Sequence, residues 1–320
     1  MKPLVPVMIG LGCAILGTGA LAQQITVETA VPAYRKTSGI SGNINSIGSD
    51  TMNNLMALWA EAFRKMYPNV KIQIEGKGSS TGPPALIAGT SQFAPMSRPM
   101  RATEIDQFES KFGYKPTEIR TAFDALAVYV NKDNPLEKLT MGQVDAVFSK
   151  NRRRGGKNVA TWGDLGLTGD WAARPISLYG RNSASGTYGF FKEHTLKNGD
   201  FKDQVKEQPG SASVVQGVTE DRFGIGYSGI GYRTSGVKAL ALGETDQYSS
   251  GSYDDVKSGK YPLSRYLYVY INKAPGKPLD PLVREYLKLI LSREGQEVVL
   301  KDGYLPLSAS IVKEELAKLE

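Results

Sequence analysis

Apolar positions recur at two different periods along this 320-residue chain, and stretches of the two kinds alternate. Met52, Leu55, Met56, Trp59, Phe63 and Met66 follow one another at three- and four-residue spacing, which predicts a helix that Pro68 closes. Val70, Ile72 and Ile74 then alternate as a strand. A short helix through Ala85–Ile87 and a short strand over Phe93–Met96 follow, and Thr103 with Asp106 reads as a capping box for the next helix. Two long apolar strands are expected: Thr121–Asn131, with Asn134-Pro135 behind it, and Arg265–Asn272, with Pro275 behind it. Between them lies a block with elements of its own, at Thr140–Phe148, Pro175–Tyr179 and Phe223–Tyr232. Two helices are expected after the second long strand, from Asp280-Pro281 and from near Ser292.

Alternating strands and helices favour an α/β fold with right-handed crossovers. Two similar long strands around a central block predict a chain that passes between two lobes twice, each lobe a central mixed sheet flanked by helices. The first lobe is then discontinuous, residues 41–125 and 262–320, and the second is 126–261. This length carries a prior of about two domains of roughly 150 residues each. A cleft between such lobes is the expected binding place. Residues 23–40 are weakly patterned and read as an N-terminal arm ahead of the compact fold.

Residues 1–22 read as a secretory leader, with Lys2 in the basic region, Val7–Leu16 as the apolar stretch and Ala20-Leu21-Ala22 as the cleavage site. The competing readings are a membrane anchor, for which the run is short and Gly-interrupted, and a lipoprotein at Cys13. Cleavage after Ala22 removes Cys13, the sole cysteine, and with it any disulfide or thiolate metal site. An extracytoplasmic location follows. The formal charge of +7 favours anions. Arg152-Arg153-Arg154 with Lys157 is a candidate phosphate-backbone patch, but it lies in a Gly-rich turn without interleaved aromatics. An exposed loop is the favoured reading, with no nucleic-acid partner.

The chemistry concentrates at Arg181-Asn182-Ser183-Ala184-Ser185-Gly186-Thr187, which joins an expected strand to an expected helix start. Backbone N–H groups at a helix start lack intrahelical partners and carry the positive end of the dipole. A guanidinium and two hydroxyls added there make a pocket suited to a tetrahedral oxyanion. The same loop-to-helix pattern occurs at Gly48-Ser49-Asp50-Thr51 and Gly78-Ser79-Ser80-Thr81-Gly82. Any single one reads equally well as an ordinary N-cap; three with an arginine point to a site. A nucleotide P-loop is excluded by residue order. No catalytic residue, cofactor or metal is expected. His194, the sole histidine, is placed on a helix surface, and no cluster has metal-ligand spacing. The rival reading is an exported phosphatase with Ser185 or Thr187 as nucleophile.

Arg-x-x-x-Ser-Gly-Thr at 181–187, Gly-Ser-Ser at 78–80, Gly-Ser-Asp-Thr at 48–51, Gly224–Tyr227, Asp302-Gly303-Tyr304 and the two crossing strands occur together and in this order. The set resembles the periplasmic phosphate-binding proteins of bacterial phosphate ABC transporters, from about Ile40 to the C-terminus. The resemblance implies a hinge-closing type II (venus-flytrap) fold. It implies one phosphate held between the lobes and delivered to an inner-membrane permease; a monomer is the expected state, which the sequence leaves open. Carried over, Thr51 and Met52 donate backbone N–H groups, Thr51 and Ser80 donate hydroxyls, Arg181 makes the charged contact, and Ser185, Gly186 and Thr187 complete the second cradle. Ser49 and Thr81 stand in the same loops. Many members carry an aspartate where this chain has Ser97, followed by Arg98. The acceptor for the proton of hydrogen phosphate is therefore expected at Asp50 or Asp124, with Asp50 slightly favoured. Arg98 is expected either to ligate the anion or to organise Asp124. Sulfate or molybdate remains the alternative ligand.

Overall fold

A computed structural model describes residues 25–320; the expected leader at 1–22 lies outside the described residues. The first elements are β1 (Gly42–Ile47), α1 (Asn53–Met66), β2 (Val70–Glu75), α2 (Gly82–Ala88), β3 (Ala94–Met96) and α3 (Ala102–Phe112). Next come β4 (Thr117–Asn131), β5 (Lys138–Thr140), α4 (Met141–Phe148), β6 (Ser177–Arg181), α5 (Gly186–His194), β7 (Lys206–Gln208), α6 (Ser211–Glu220) and β8 (Gly224–Gly229). The chain ends with β9 (Val237–Ala239), β10 (Ala241–Gly243), α7 (Tyr253–Lys257), β11 (Ser264–Ile271), α8 (Pro281–Ile290), α9 (Arg293–Lys301) and α10 (Ala309–Ala317). No described helix is long and apolar enough to cross a membrane.

The helical periodicity at 52–66 works as its spacing requires. Met52, Leu55, Met56, Trp59 and Phe63 are fully buried, while the intervening positions of α1 are mostly exposed. Capping follows ordinary chemistry at α8, where Asp280 accepts the N–H groups of Leu282 and Val283 at 2.9 and 3.2 Å. At α3 the expected Thr103–Asp106 box is not formed. The helix starts two residues earlier than that box requires, with Arg101 at the N-cap, and the Glu104 carboxylate reaches back to accept the Arg101 N–H at 2.8 Å. A third C-terminal helix, α10, lies beyond the two expected.

β4 explains the long apolar run. Residues 117–125 pair antiparallel with β11, whereas 126–130 pair with β8. From Thr121 to Asn131 every residue is buried, because the strand is covered on both faces in both halves. The sheet runs β3-β11-β4-β8-β6-β7, with β9 also on β4. On its first side β1 and β2 form a parallel pair that touches β3 through a Ser46–Phe93 bridge. On its second side β6 runs parallel to β7 and β8. Gly48, Gly76, Ser97 and Asn182 thus follow the carboxyl ends of β1, β2, β3 and β6, where open α/β sheets present ligand sites.

Residues 25–40 do not stand ahead of the fold. Val31 is fully buried, the Tyr34 hydroxyl donates to Glu285 at 2.9 Å, and the Arg293 N–H donates to the Pro32 carbonyl at 2.8 Å. The segment is a strap across α8 and α9. The arginine cluster is likewise tied down. Arg154 donates to the carbonyls of Thr195 and His194 at the end of α5, at 2.8 and 2.5 Å, and pairs with Glu244. Arg152 and Arg153 donate to the carbonyls of Lys150 and Lys197.

Candidate functional site

The three polar loops converge on the N-terminus of α5. Ser185 caps that helix, its hydroxyl accepting from the N–H groups of Thr187 and Tyr188 at 3.1 and 3.3 Å. The Gly78 loop folds against it so closely that a Cβ at Gly78 would lie 2.5 Å from the Ala184 carbonyl oxygen. The backbone at Gly78 also has φ +126°, which disfavours any L side chain. Beyond it the Ser80 N–H donates to the Ala184 carbonyl at 3.2 Å.

Four hydroxyls meet at the centre. Thr51 Oγ1 and Thr187 Oγ1 are 2.8 Å apart. Ser97 Oγ lies 3.5 Å from Thr187 Oγ1 and 3.3 Å from Ser79 Oγ. The Ser97 N–H donates to Ser79 Oγ at 3.1 Å. Gly186 packs directly on this group: a Cβ there would be 2.2 Å from Ser79 Oγ and 2.7 Å from Ser97 Oγ.

Two buried arginines flank the hydroxyls, each with a carboxylate. Arg181, 1% exposed, donates to Ser211 Oγ at 2.6 Å and the Pro209 carbonyl at 3.1 Å. Its Nη2 is 3.1 Å from Asp50 Oδ2, and its buried Nε has no protein partner. Burial pulls its pKa down, and the Asp50 carboxylate opposes that shift. Arg265 donates through Nε and Nη2 to Asp124 at 2.8 and 2.6 Å. It also donates to the Ser97 carbonyl at 2.8 Å and to Thr187 Oγ1 at 3.0 Å. The remaining Asp124 oxygen accepts the Ile230 N–H at 3.2 Å.

The expected residues therefore fall into two groups. Asp50, Thr51, Ser97, Arg181, Ser185, Gly186 and Thr187 come together, with Ser80 joining through its backbone. Thr81 turns its hydroxyl onto the Gly78 carbonyl of its own turn, at 2.8 Å. Ser49 is buried, its N–H on the Pro95 carbonyl and its hydroxyl without a protein partner. Met52 stands at the N-cap position of α1 with its side chain in the core. Arg98 is not on Asp124. It makes a two-pronged pair with Glu104 at 2.7 and 2.8 Å, because the first turn of α3 brings that carboxylate over the guanidinium. Asp50 does not cap its own helix; Asp50 Oδ2 accepts the N–H of Ser211, at the start of α6, at 2.8 Å.

Arg265 was not among the expected site residues, nor were Ser79, Ser211, Tyr232 and Tyr304. The last two hydroxyls hold the Thr51 carbonyl at 3.2 and 2.8 Å. The available signal for Arg265 was one guanidinium at the start of an apolar strand and one carboxylate, Asp124, inside the other. Cross-strand register makes them neighbours.

Hydroxyl donors, a helix N-terminus and two arginines whose charge is already offset can hold a dehydrated tetrahedral anion by directed hydrogen bonds. His194, exposed at the end of α5, is no part of this group. Among the described residues no set of three or more His, Cys, Asp or Glu is gathered for a metal.

Comparison with known proteins gives a consistent result. A profile for the PBP superfamily domain matches residues 33–294. The phosphate-binding protein PstS of Pseudomonas aeruginosa is 56% identical over 306 residues, 95% of each chain. SphX of Synechococcus elongatus is 28% identical, over 83% of this chain and 78% of its own. A Clostridium perfringens protein solved with bound phosphate has the same fold, with TM-score 0.71 and 24% identity over 83% of this chain and all of its own. An ABC-type phosphate transport receptor from Vibrio cholerae superposes with TM-score 0.64 and 21% identity, over 82% of this chain and all of its own.

Proposed function

The chain belongs to the PstS phosphate-binding proteins of the PBP superfamily, and we propose that it captures inorganic phosphate outside the cytoplasm with high affinity and delivers it to an ABC transporter permease. The observation that carries the proposal is the convergence of Thr51, Ser97 and Thr187 on the N-terminus of α5, which itself begins with Gly186, with Arg181 paired to Asp50, the residue before Thr51. In this reading β4 and β11 join two lobes, 41–125 with 262–320 and 126–261, and the change of β4 partner at 125/126 supports that division.

The anion enters between the lobes and takes over the contacts that the hydroxyls now make with one another. Thr51 and Ser97 serve it from the first lobe, and Ser185, Gly186 and Thr187 from the second. Arg181 supplies the charged contact, and closure of the lobes excludes water. The closed form is what the permease recognises. Export through a leader cleaved after Ala22 places the protein in the periplasm, and a single chain suffices.

Titration calorimetry with phosphate tests the reading: saturable binding well below millimolar is expected, and its absence would reject it. Ser97 standing where relatives are expected to have a carboxylate favours weighing sulfate as a second ligand. Competition between the two anions separates the readings. The protein acts without turnover; hydrolysis of a chromogenic phosphate ester, lost in Ser185→Ala, would reverse that assignment.

A further inference from the structure

Arg265 is buried, 2% exposed in its side chain, and sits opposite Asp124 in strand register. A buried ion pair is weak evidence for stability, because desolvation offsets much of the attraction. This guanidinium also does more than meet Asp124. One further N–H goes to the Ser97 carbonyl and one to Thr187 Oγ1, at 2.8 and 3.0 Å. Its face lies 5.2 Å from the centre of the Phe190 ring, which fixes its plane.

A guanidinium has five donors and no acceptor. Thr187 Oγ1 therefore accepts from Arg265, and its own proton points away from the guanidinium. That direction leads into the hydroxyl cluster, to Thr51 Oγ1 at 2.8 Å or an anion oxygen in its place. Arg265 enters on β11 and Thr187 on α5, so this hydrogen bond spans the cleft. Asp124 cancels the added charge, so the site gains direction rather than net charge.

We propose that Arg265 is a positioning residue for the anion: it orients the Thr187 hydroxyl as a donor to the ligand and holds the Ser97 backbone beside it. The inference rests on the phosphate reading above. It predicts an energetic coupling that a purely structural arginine would not have.

The test is a double-mutant cycle of Arg265→Lys and Thr187→Val, read by phosphate titration calorimetry on the mature protein. Lysine keeps a cation for Asp124 but lacks the fork that serves three acceptors at once. Losing an oriented charged-site donor should weaken phosphate binding about tenfold in the parent background, and less than about twofold once Thr187 is valine. Thr187→Ser, which retains the hydroxyl, should restore the full dependence on Arg265. Thermal midpoints without phosphate check folding. If Arg265→Lys does not fold, the charge-free pair Asp124→Asn with Arg265→Gln is carried through the same two backgrounds. Equal losses in both backgrounds, with parent binding intact, overturn the inference alone. Absence of parent phosphate binding overturns the phosphate reading and this inference with it.

Discussion

Asp50 and Arg181 meet across the cleft: Nη2 of the arginine lies 3.1 Å from Oδ2 of the aspartate. The same oxygen accepts the Ser211 N–H at 2.8 Å. One carboxylate from the loop after β1 thus satisfies both the arginine that ends β6 and the start of α6. The contact joins segments far apart in sequence, 131 residues between Asp50 and Arg181.

Oδ2 carries both of these contacts, which leaves Oδ1 available to accept a ligand proton. Asp124 differs, since each of its oxygens already accepts from a neighbour. Asp50→Asn keeps the size and one acceptor but removes the negative charge that disfavours a fully ionised anion. Phosphate-over-sulfate preference should fall by about tenfold, equivalent to about 1.4 kcal/mol. Competitive titration with the two anions measures it, and an unchanged ratio would remove Asp50 as the acceptor.

Gly186→Ala should block closure rather than folding. The added Cβ would sit 2.2 Å from Ser79 Oγ and 2.7 Å from Ser97 Oγ, on the facing loops. Alanine is favoured over glycine within a helix by about 1 kcal/mol, so α5 itself is not harmed. Affinity should drop by roughly five- to 150-fold, the equivalent of the roughly 1–3 kcal/mol that overpacking costs. The thermal midpoint without ligand should stay near the parent value. A large fall in that midpoint with affinity preserved would contradict the assignment of Gly186 to the closing surface.

Much of this arrangement is legible from local pattern. The α1 periodicity, the long buried strands and the loop-to-helix motif at Arg181 each depend on residues close in sequence. What stayed hidden depends on register and on side-chain direction. Arg265 reads as the edge of an apolar strand until β11 is laid against β4 and faces it to Asp124. Ser79 and Ser80 cannot be ranked by type. Only the single turn at Ser79–Thr81 decides that Ser79 is the fully buried one. Of the two roles open to Arg98, organising Asp124 is not met, because Glu104, six residues on, returns to it through the first turn of α3. The strap at 25–40 had no periodicity to read, since it is held by single anchors such as Val31 and Tyr34.

Asp302 gives the fold a pH dependence of known sign. Burial raises its pKa to about 6, against an ordinary value of 3.8, while a hydrogen bond from Asn54 pulls the other way. The native state thus holds this proton more tightly than the unfolded chain. The associated stability is present below the ordinary value and is lost as pH rises through about 6. The residue is only partly buried, so solvent screening reduces the effect to the order of 1 kcal/mol. Asp302→Asn should therefore raise the thermal midpoint more at about pH 7.5 than at about pH 4.5, where the parent carboxyl is already largely protonated. An equal change at both pH values would rule out this titration.

Asp124→Asn alone should act on stability first. The carboxylate is fully buried and receives two N–H groups of Arg265 and the N–H of Ile230. Neutralising it leaves a buried guanidinium without its counter-charge, a change that costs about 3–5 kcal/mol when such a pair is broken from one side. Replacing both members, Asp124→Asn with Arg265→Gln, removes the charges together and should recover most of that loss. Urea unfolding of the two variants without phosphate makes the comparison. If Asp124→Asn proves as stable as the parent yet loses phosphate-over-sulfate preference, the carboxylate works on the ligand rather than on Arg265, and the proton acceptor moves from Asp50 to Asp124.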